Sequence, residues 1–459
     1  MKPRNHQRRV VGARGSSIYS VPEMATALQQ QVIKKILWRL IPFGIILNVI
    51  ASVDRTNISF AALQMNQRLG FSGAVFGFGA GVFFLGYAVF EIPSNLILAR
   101  VGARRWIARI MISWGLVVIA MAWTQGEYSF YLFRFLLGIA EAGLLPGLLY
   151  YFNNWVPRKE RAKAFAALLC GFVVANIIAG PLAGGLMTLN GLFGLAGWQI
   201  LLVTEGIPAL IFGLLTLGVL TDKPDAANWL SPEEKTTLGA LIASQEAAHV
   251  GSRSTLFREV LRNANVWRLI GFCFFMQLAN YGVLLWLPQI IRSLGQLTTL
   301  QIGFLSAGPY VLGAICMVLW GRHSDRTGER RWHLFVAVLV GAIGLAGSAL
   351  AGNAVLGYVG LCIAAIGISS TFGVFWALPG DYLQGLAAAG GLAFINSIGI
   401  TGAFVGPYVV GFVRDRTPGF TVALLLLAGS AVVASLFAPS LRASRAVTPR
   451  ALQPDAVGG

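Results

Sequence analysis

Charge is what this chain has least of. Aspartate, glutamate, lysine and arginine make up 12% of its 459 residues, against about one quarter in soluble domains. With 56% of residues hydrophobic and a mean hydropathy of +0.70, too little polar surface remains to clothe a water-soluble core. A globular enzyme is excluded and a polytopic membrane protein is expected. Cysteine is scarce too. Cys170, Cys273, Cys316 and Cys362 each stand alone inside an apolar run. That spacing excludes a thiolate metal site and paired loop positions, and reads as four buried free thiols acting as small hydrophobes. His6, His249, His323 and His333 lie outside the apolar runs or at their ends, so no histidine is placed to carry protons across. No phosphate-cradling G-x-x-x-x-G-K-[ST] loop, no H-E-x-x-H and no nucleophile–base pair occurs. No cofactor or metal is expected, an enzyme is not expected, and active transport would draw on a source other than ATP.

What the chain does carry is twelve apolar runs close to the roughly 20 residues a bilayer span needs. They cover 38–60, 75–98, 106–124, 129–151, 164–188, 198–220, 267–291, 301–320, 333–351, 355–377, 391–412 and 420–437. Backbone groups in lipid must be satisfied within the segment, so the runs are expected to be helices. Their glycine and alanine content allows close helix contact. The resulting class is an all-α membrane protein with twelve transmembrane helices in two six-helix bundles. An N-terminal tail (1–37) precedes the first bundle (38–220). A polar linker (221–264) leads to the second bundle (265–438) and a C-terminal tail (439–459). The first 23 residues are basic and polar and lack the apolar core of a secretory signal, and Met24 offers an alternative start. In the linker, Ser231-Pro232-Glu233-Glu234 reads as a capping box with proline at the first helical position, opening a short surface helix to about Ala248.

Basic residues are distributed one-sidedly. With both ends of the chain on one side, 29 of the 35 lysines and arginines fall on that side. They include Arg100, Arg104 and Arg105 after the second run, Arg158, Lys159 and Arg161 after the fourth, and Arg322, Arg326 and Arg330 after the eighth. Only Arg68, Arg292, Arg414 and Arg416 lie opposite. The positive-inside rule makes the rich side, with both termini, cytoplasmic. The net charge of +17 is therefore a topology signal with some attraction to anionic lipid head groups, and no nucleic-acid partner is expected. An internal repeat supports the division into halves. Arg100, Gly102, Arg104, Arg105 and Trp106 spell R-x-G-x-R-R-W, and Arg326, Gly328, Arg330, Arg331 and Trp332 spell it again after the second run of the other half. Two halves of like topology place a binding site at their interface.

The ionisable residues inside the runs are few: Asp54, Arg55, Glu91, Arg134, Glu141 and Glu205, with Asp381 at the end of the tenth. A charge at membrane depth is costly and needs a partner or a task. Asn48, Ser52, Arg55 and Ser59 are spaced four, three and four, which lines them along one helix face. Such a face is one wall of a wet cavity whose cation holds an anion, or else a packing surface whose arginine pairs with a neighbouring carboxylate. Arg134, Gly138 and Glu141 share a face of the fourth run, about 8 Å and about 18 Å deep for the two charged ends. Glu141 sits in EAGLLPG, where Gly143, Pro146 and Gly147 loosen the helix. Its protonation would answer to burial on one side and to a nearby arginine on the other. That suits a proton-coupling site, the alternative being a permanent salt bridge to Arg134 or Arg55. Glu91, flanked by Tyr87 and Asn95, reads as a gate or a packing partner of the basic loop. In the second half Gln277, Asn280, Tyr281, Gln289, Trp376 and Asn396 could line a substrate path, Tyr281 and Asn396 foremost.

At these residues the chain resembles a major facilitator superfamily transporter. WGRHSDRTGERR matches the superfamily pattern G-x-x-x-D-R-x-G-x-R-R through Gly321, Asp325, Arg326, Gly328, Arg330 and Arg331. The first-half copy departs from it, with Asn95 and Ala99 replacing the usual glycine and aspartate, so the acidic gating role falls to Glu91. DRTNISFAALQMN from Asp54, FEIPSNL from Phe90, GARRWIARIMISWG from Gly102, RFLLGIAEAGLLPG from Arg134 and NWLSPEEK from Asn228 are similar to the anion:cation symporter branch. That branch takes up phthalate, tartrate, hydroxyphenylacetate and sugar acids. The resemblance implies proton-coupled uptake of a small organic anion across the bacterial inner membrane by alternating access, in a monomer. It implies Asp54 and Glu141 as proton sites and Arg55 as the anion clamp. Phe172 stands near the glutamine of sugar-acid members, which favours a less hydroxylated or aromatic acid. Proton-antiport efflux and a non-translocating sensor are the alternatives.

Overall fold

The computed structural model describes residues 21–246, 262–376, 378 and 386–441. It is all-helical. The first half contains α1 (Val21–Leu69), α2 (Gly73–Val101), α3 (Ala103–Met121), α4 (Glu127–Glu141), α5 (Leu144–Trp155), α6 (Arg158–Met187) and α7 (Gly197–Val219). The linker helix α8 (Pro232–Glu246) follows. The second half contains α9 (Ala264–Ser293), α10 (Thr299–Thr327), α11 (Arg331–Ala349), α12 (Ala354–Phe375), α13 (Leu386–Gly399), α14 (Gly402–Arg414) and α15 (Thr421–Phe437). Eleven helical segments among the described residues are long and apolar enough to cross a membrane. The twelfth span is α3, set apart by Arg104, Arg105 and Arg109 in its first turns.

Two of the twelve apolar runs are broken helices. The fourth is α4 followed by α5, and the eleventh is α13 followed by α14. The first helix also begins well before residue 38. The expectation of four buried thiols needs correction: Cys273 and Cys362 are buried, Cys316 is half-buried and Cys170 is exposed. Cys170 lies on the outer face of α6 beside the exposed Leu169, where lipid rather than protein would cover it. Asp381, His6, His249 and residues 1–20 and 442–459 lie outside the described residues.

The halves dock mainly through two helix pairs, α2 against α14 and α6 against α10, and α1 also meets α9. Gly180 and Gly303 face each other so closely that a side chain at either would strike the other's carbonyl oxygen. At the end of the bundle away from the basic loops, Asp415 accepts the amides of Gly73 and Ala74, each at 2.7 Å, and Arg292 donates to the Leu63 carbonyl at 2.9 Å. Toward the basic loops, Asn396 of α13 donates to both Glu91 oxygens of α2 at 3.2 Å. The seam is thus tied on both sides of its middle.

The linker helix is anchored to α1. Ser231 and Glu234 exchange the two bonds of a capping box, at 2.8 and 3.2 Å. Lys35 donates to Glu234 at 2.8 Å. The Lys35 ammonium, with the Ser231 amide, holds the Glu234 carboxyl below the usual carboxylate range.

Candidate functional site

Asp54 and Arg55 are adjacent on α1 and leave the helix in different directions. Asp54 turns into the first half, where its Oδ2 accepts the indole N–H of Trp114 at 2.7 Å. Glu205 of α7 and Asn57 lie in the same buried polar group. Arg55 turns to the seam. Its Nε donates to Glu141 Oε1 at 2.6 Å. The ring of Tyr87 lies 5.1 Å from the guanidinium and that of Phe83 5.8 Å. The phenol oxygens of Tyr87 and Tyr281 face it, so groups from α2, α4 and α9 surround one cation from α1.

Glu141 lies beside a local break. It is the last residue of α4, and Gly143 turns the chain with φ +91°, a left-handed geometry that favours glycine. Pro146 has no amide hydrogen to offer the carbonyl four residues back, which is Ala142. Ser94 of α2 fills that role, donating to Ala142 at 2.6 Å while accepting the Trp106 indole N–H at 3.0 Å. The loosening expected from EAGLLPG is a complete interruption, which begins just after Glu141.

Arg134 is not part of that pair. Its Nε and Nη2 donate to the carbonyls of Gly79 and Ala80 at 3.3 and 2.9 Å, and its guanidinium lies 4.9 Å from the Phe83 ring. It is 1% exposed and fixes α4 to α2. Asn48 donates to the Leu168 carbonyl at 2.8 Å, and Ser59 to the Thr56 carbonyl. Tyr281 packs its ring 4.4 Å from Phe84, beside Arg55. Asn396 is joined to Glu91 instead. Trp376 caps the end of α12 on the basic side, with its ring 5.1 Å from Phe375.

The repeated basic motif occupies corresponding turns. Gly102 has φ +97°, and the Arg104 amide donates to Asp222 Oδ1 at 2.8 Å. Gly328 closes α10 with φ +66°, while Arg100, Asp325 and Arg326 are exposed and Gly321 is half-buried. Glu329 caps α11 through the Trp332 amide at 2.9 Å. It also meets His333 Nδ1 at 3.2 Å, and His333 in turn meets His323 at 2.7 Å. Sequence reasoning missed Ser94, Trp114, Asp222 and Asp415. Trp114 carried the one usable signal, because a buried indole N–H usually finds an acceptor. The others act through contacts between distant helices. Among the described residues no group of three or more His, Cys, Asp or Glu could hold a metal ion.

A profile of the Major Facilitator Superfamily matches residues 44–407. A protein of Agrobacterium vitis, provisionally named a tartrate transporter, is 45% identical over 409 residues, 89% of this chain and 91% of the relative. The quinolone resistance transporter of Acinetobacter baumannii is 40% identical over 399 residues, 87% of this chain and 92% of the relative. The inward-open structure of the xylose transporter XylE from E. coli superposes with a TM-score of 0.71. It covers 90% of this chain and 98% of that one, and at 14% identity it supports the fold alone.

Proposed function

This chain belongs to the Major Facilitator Superfamily, a multi-pass membrane transporter and not an enzyme, and from that premise we propose that it takes up a small organic carboxylate together with protons. The observation that carries the reading is the pairing of half-buried Arg55 with buried Glu141 at the seam between halves. A substrate carboxylate and the Glu141 carboxylate compete for one guanidinium. Protonating Glu141 releases Arg55, whose planar fork then accepts the incoming anion. By linkage, anion binding favours the proton as much as the proton favours the anion. Proton and anion therefore travel together. Asp54, held by Trp114 one residue away from Arg55, is the second carboxylate of the coupled set.

Alternating access follows from the two ties across the seam. Breaking Glu91–Asn396 would open the basic side, and breaking the Asp415 bonds to α2 would open the other. The 29-to-4 partition of basic residues makes the basic side cytoplasmic, with both termini there, in the inner membrane of a bacterium. One chain contains both halves of the seam and functions as a monomer. The test is uptake of labelled tartrate, phthalate and hydroxyphenylacetate into proteoliposomes with an imposed pH gradient. Accumulation that collapses with the gradient supports the reading, and accumulation indifferent to the gradient counts against it. The relative named for quinolone resistance favours a second reading, proton-antiport efflux. The direction of proton movement during counterflow separates the two.

A further inference from the structure

A small cavity lies in the seam beside Arg55. Thr56 and Ser59 of α1, Asn176 of α6, and Ser306 and Tyr310 of α10 line it, over an apolar wall that includes Leu287. It has room for about one water-sized group. Tyr281, which faces Arg55, also neighbours Tyr310 of the cavity wall. Ser59 lies four residues from Arg55 on α1, a rise of about 6 Å.

The walls are unbalanced in hydrogen bonding. Thr56, Ser59 and Ser306 each donate their hydroxyl hydrogen to a backbone carbonyl, of Val53, Thr56 and Ile302 respectively. The Asn176 amide nitrogen donates to the Phe172 carbonyl at 2.8 Å. The three hydroxyls are left with lone pairs to offer, and the donors that remain on the wall are the second Asn176 amide hydrogen and the Tyr310 phenol. Asn176 is 5% exposed, and its Oδ1 is buried without a hydrogen-bond partner. A buried acceptor left unpaired is costly, and a donor placed there recovers that cost. No lysine or arginine lines the cavity, so a carboxylate there would be desolvated without a cation to pair it.

We propose that this cavity is a subsite for a hydroxyl at the far end of the transported acid. Substrates would then be monocarboxylates bearing a hydroxyl about one helical turn from the carboxylate. Dicarboxylates that must place their second carboxylate in the cavity are disfavoured. The inference rests on the reading that Arg55 holds the carboxylate.

Two sets of matched probes test it: butyrate, 4-hydroxybutyrate and succinate, and benzoate, 4-hydroxybenzoate and terephthalate. Binding to the purified full chain is followed by thermal shift and titration. In at least one set the hydroxy acid should bind about tenfold more tightly than its parent, and the dicarboxylate more weakly than the hydroxy acid. Asn176→Leu should abolish the hydroxyl advantage while parent binding is unchanged. Asn176→Asp, which keeps an acceptor in the same place, should retain the advantage and serves if the leucine variant does not fold. Equal binding of parent and hydroxy acid in both sets, a dicarboxylate that binds tightest, or an advantage that survives Asn176→Leu would overturn the subsite. If parent acids bind in an Arg55-dependent manner under any of those outcomes, only the subsite falls. If no acid in either set binds, or binding ignores Arg55→Lys, the carboxylate reading falls and the subsite with it.

Discussion

Arg55 and Glu141 stand 86 residues apart in the chain and meet at 2.6 Å. The contact lies where a helix ends at Glu141 and restarts at Leu144, with Ser94 satisfying the carbonyl exposed by the break. Arg134 and Glu141 belong to the same unbroken helix: Arg134 holds the backbone of α2, and Glu141 faces the seam.

If Arg55 is the anion clamp, its geometry counts as well as its charge. Arg55→Lys keeps the charge and loses the planar fork and its placement beside Tyr87. Carboxylate affinity should fall by about tenfold or more, measured by titration on protein that expresses and folds normally. Unchanged affinity would remove Arg55 from the clamp role.

The Glu91–Asn396 pair crosses between halves. Asn396→Ala removes both donors and should shift the population toward states open on the basic side. Spin labels at Arg100 and Arg326, both exposed, should report a longer-distance population in the variant. A distance distribution identical to wild type would show that the pair does not act as a gate.

Ser94 has no contact with Arg55, yet it supports the break. Ser94→Ala leaves the Ala142 carbonyl and the Trp106 indole without their partner. Stability should fall by about 1–3 kcal/mol, read from denaturant unfolding in detergent. A loss below a few tenths of a kcal/mol would mean that the break is held by other contacts.

Glu234 supplies a pH dependence outside the membrane. Its carboxyl is held below the ordinary range by Lys35, so the folded state binds its proton less readily than the unfolded state. That stabilisation is fully present above the unfolded value, about 4.3, and is lost as pH falls through the lower folded value. Glu234→Gln should therefore lower the Tm at pH 7, and the difference from wild type should shrink as pH falls below about 4. A difference that stays constant with pH would assign the effect to packing.

The spans were legible because lipid allows a segment no other way to satisfy its backbone, and the capping box at Ser231 and Glu234 because it is local. The candidate site was legible in its residue types, since charge at membrane depth is rare, and the Arg55–Glu141 contact was one of two pairings open to Glu141, but the other pairings were not legible. Asn48 and Ser59 line up with Arg55 by spacing, yet both donate to backbone carbonyls. Asn396 pairs with Glu91, 305 residues away. Asp415, unremarkable in the chain, caps the start of α2. Periodicity assigns a residue to a face of its own helix, and how two bundles dock decides what that face meets.

The central claim is that Glu141 exchanges its hold on Arg55 for a proton when the anion binds. Glu141→Gln keeps the shape and a hydrogen-bond acceptor and removes titration. In proteoliposomes from one preparation, two assays are run: accumulation of a transported carboxylate under an imposed pH gradient, and exchange of labelled for unlabelled substrate without one. The account predicts that Glu141→Gln loses gradient-driven accumulation and retains exchange. A variant that still concentrates substrate when the proton gradient is applied would contradict it, and would leave Arg55–Glu141 as a fixed structural ion pair.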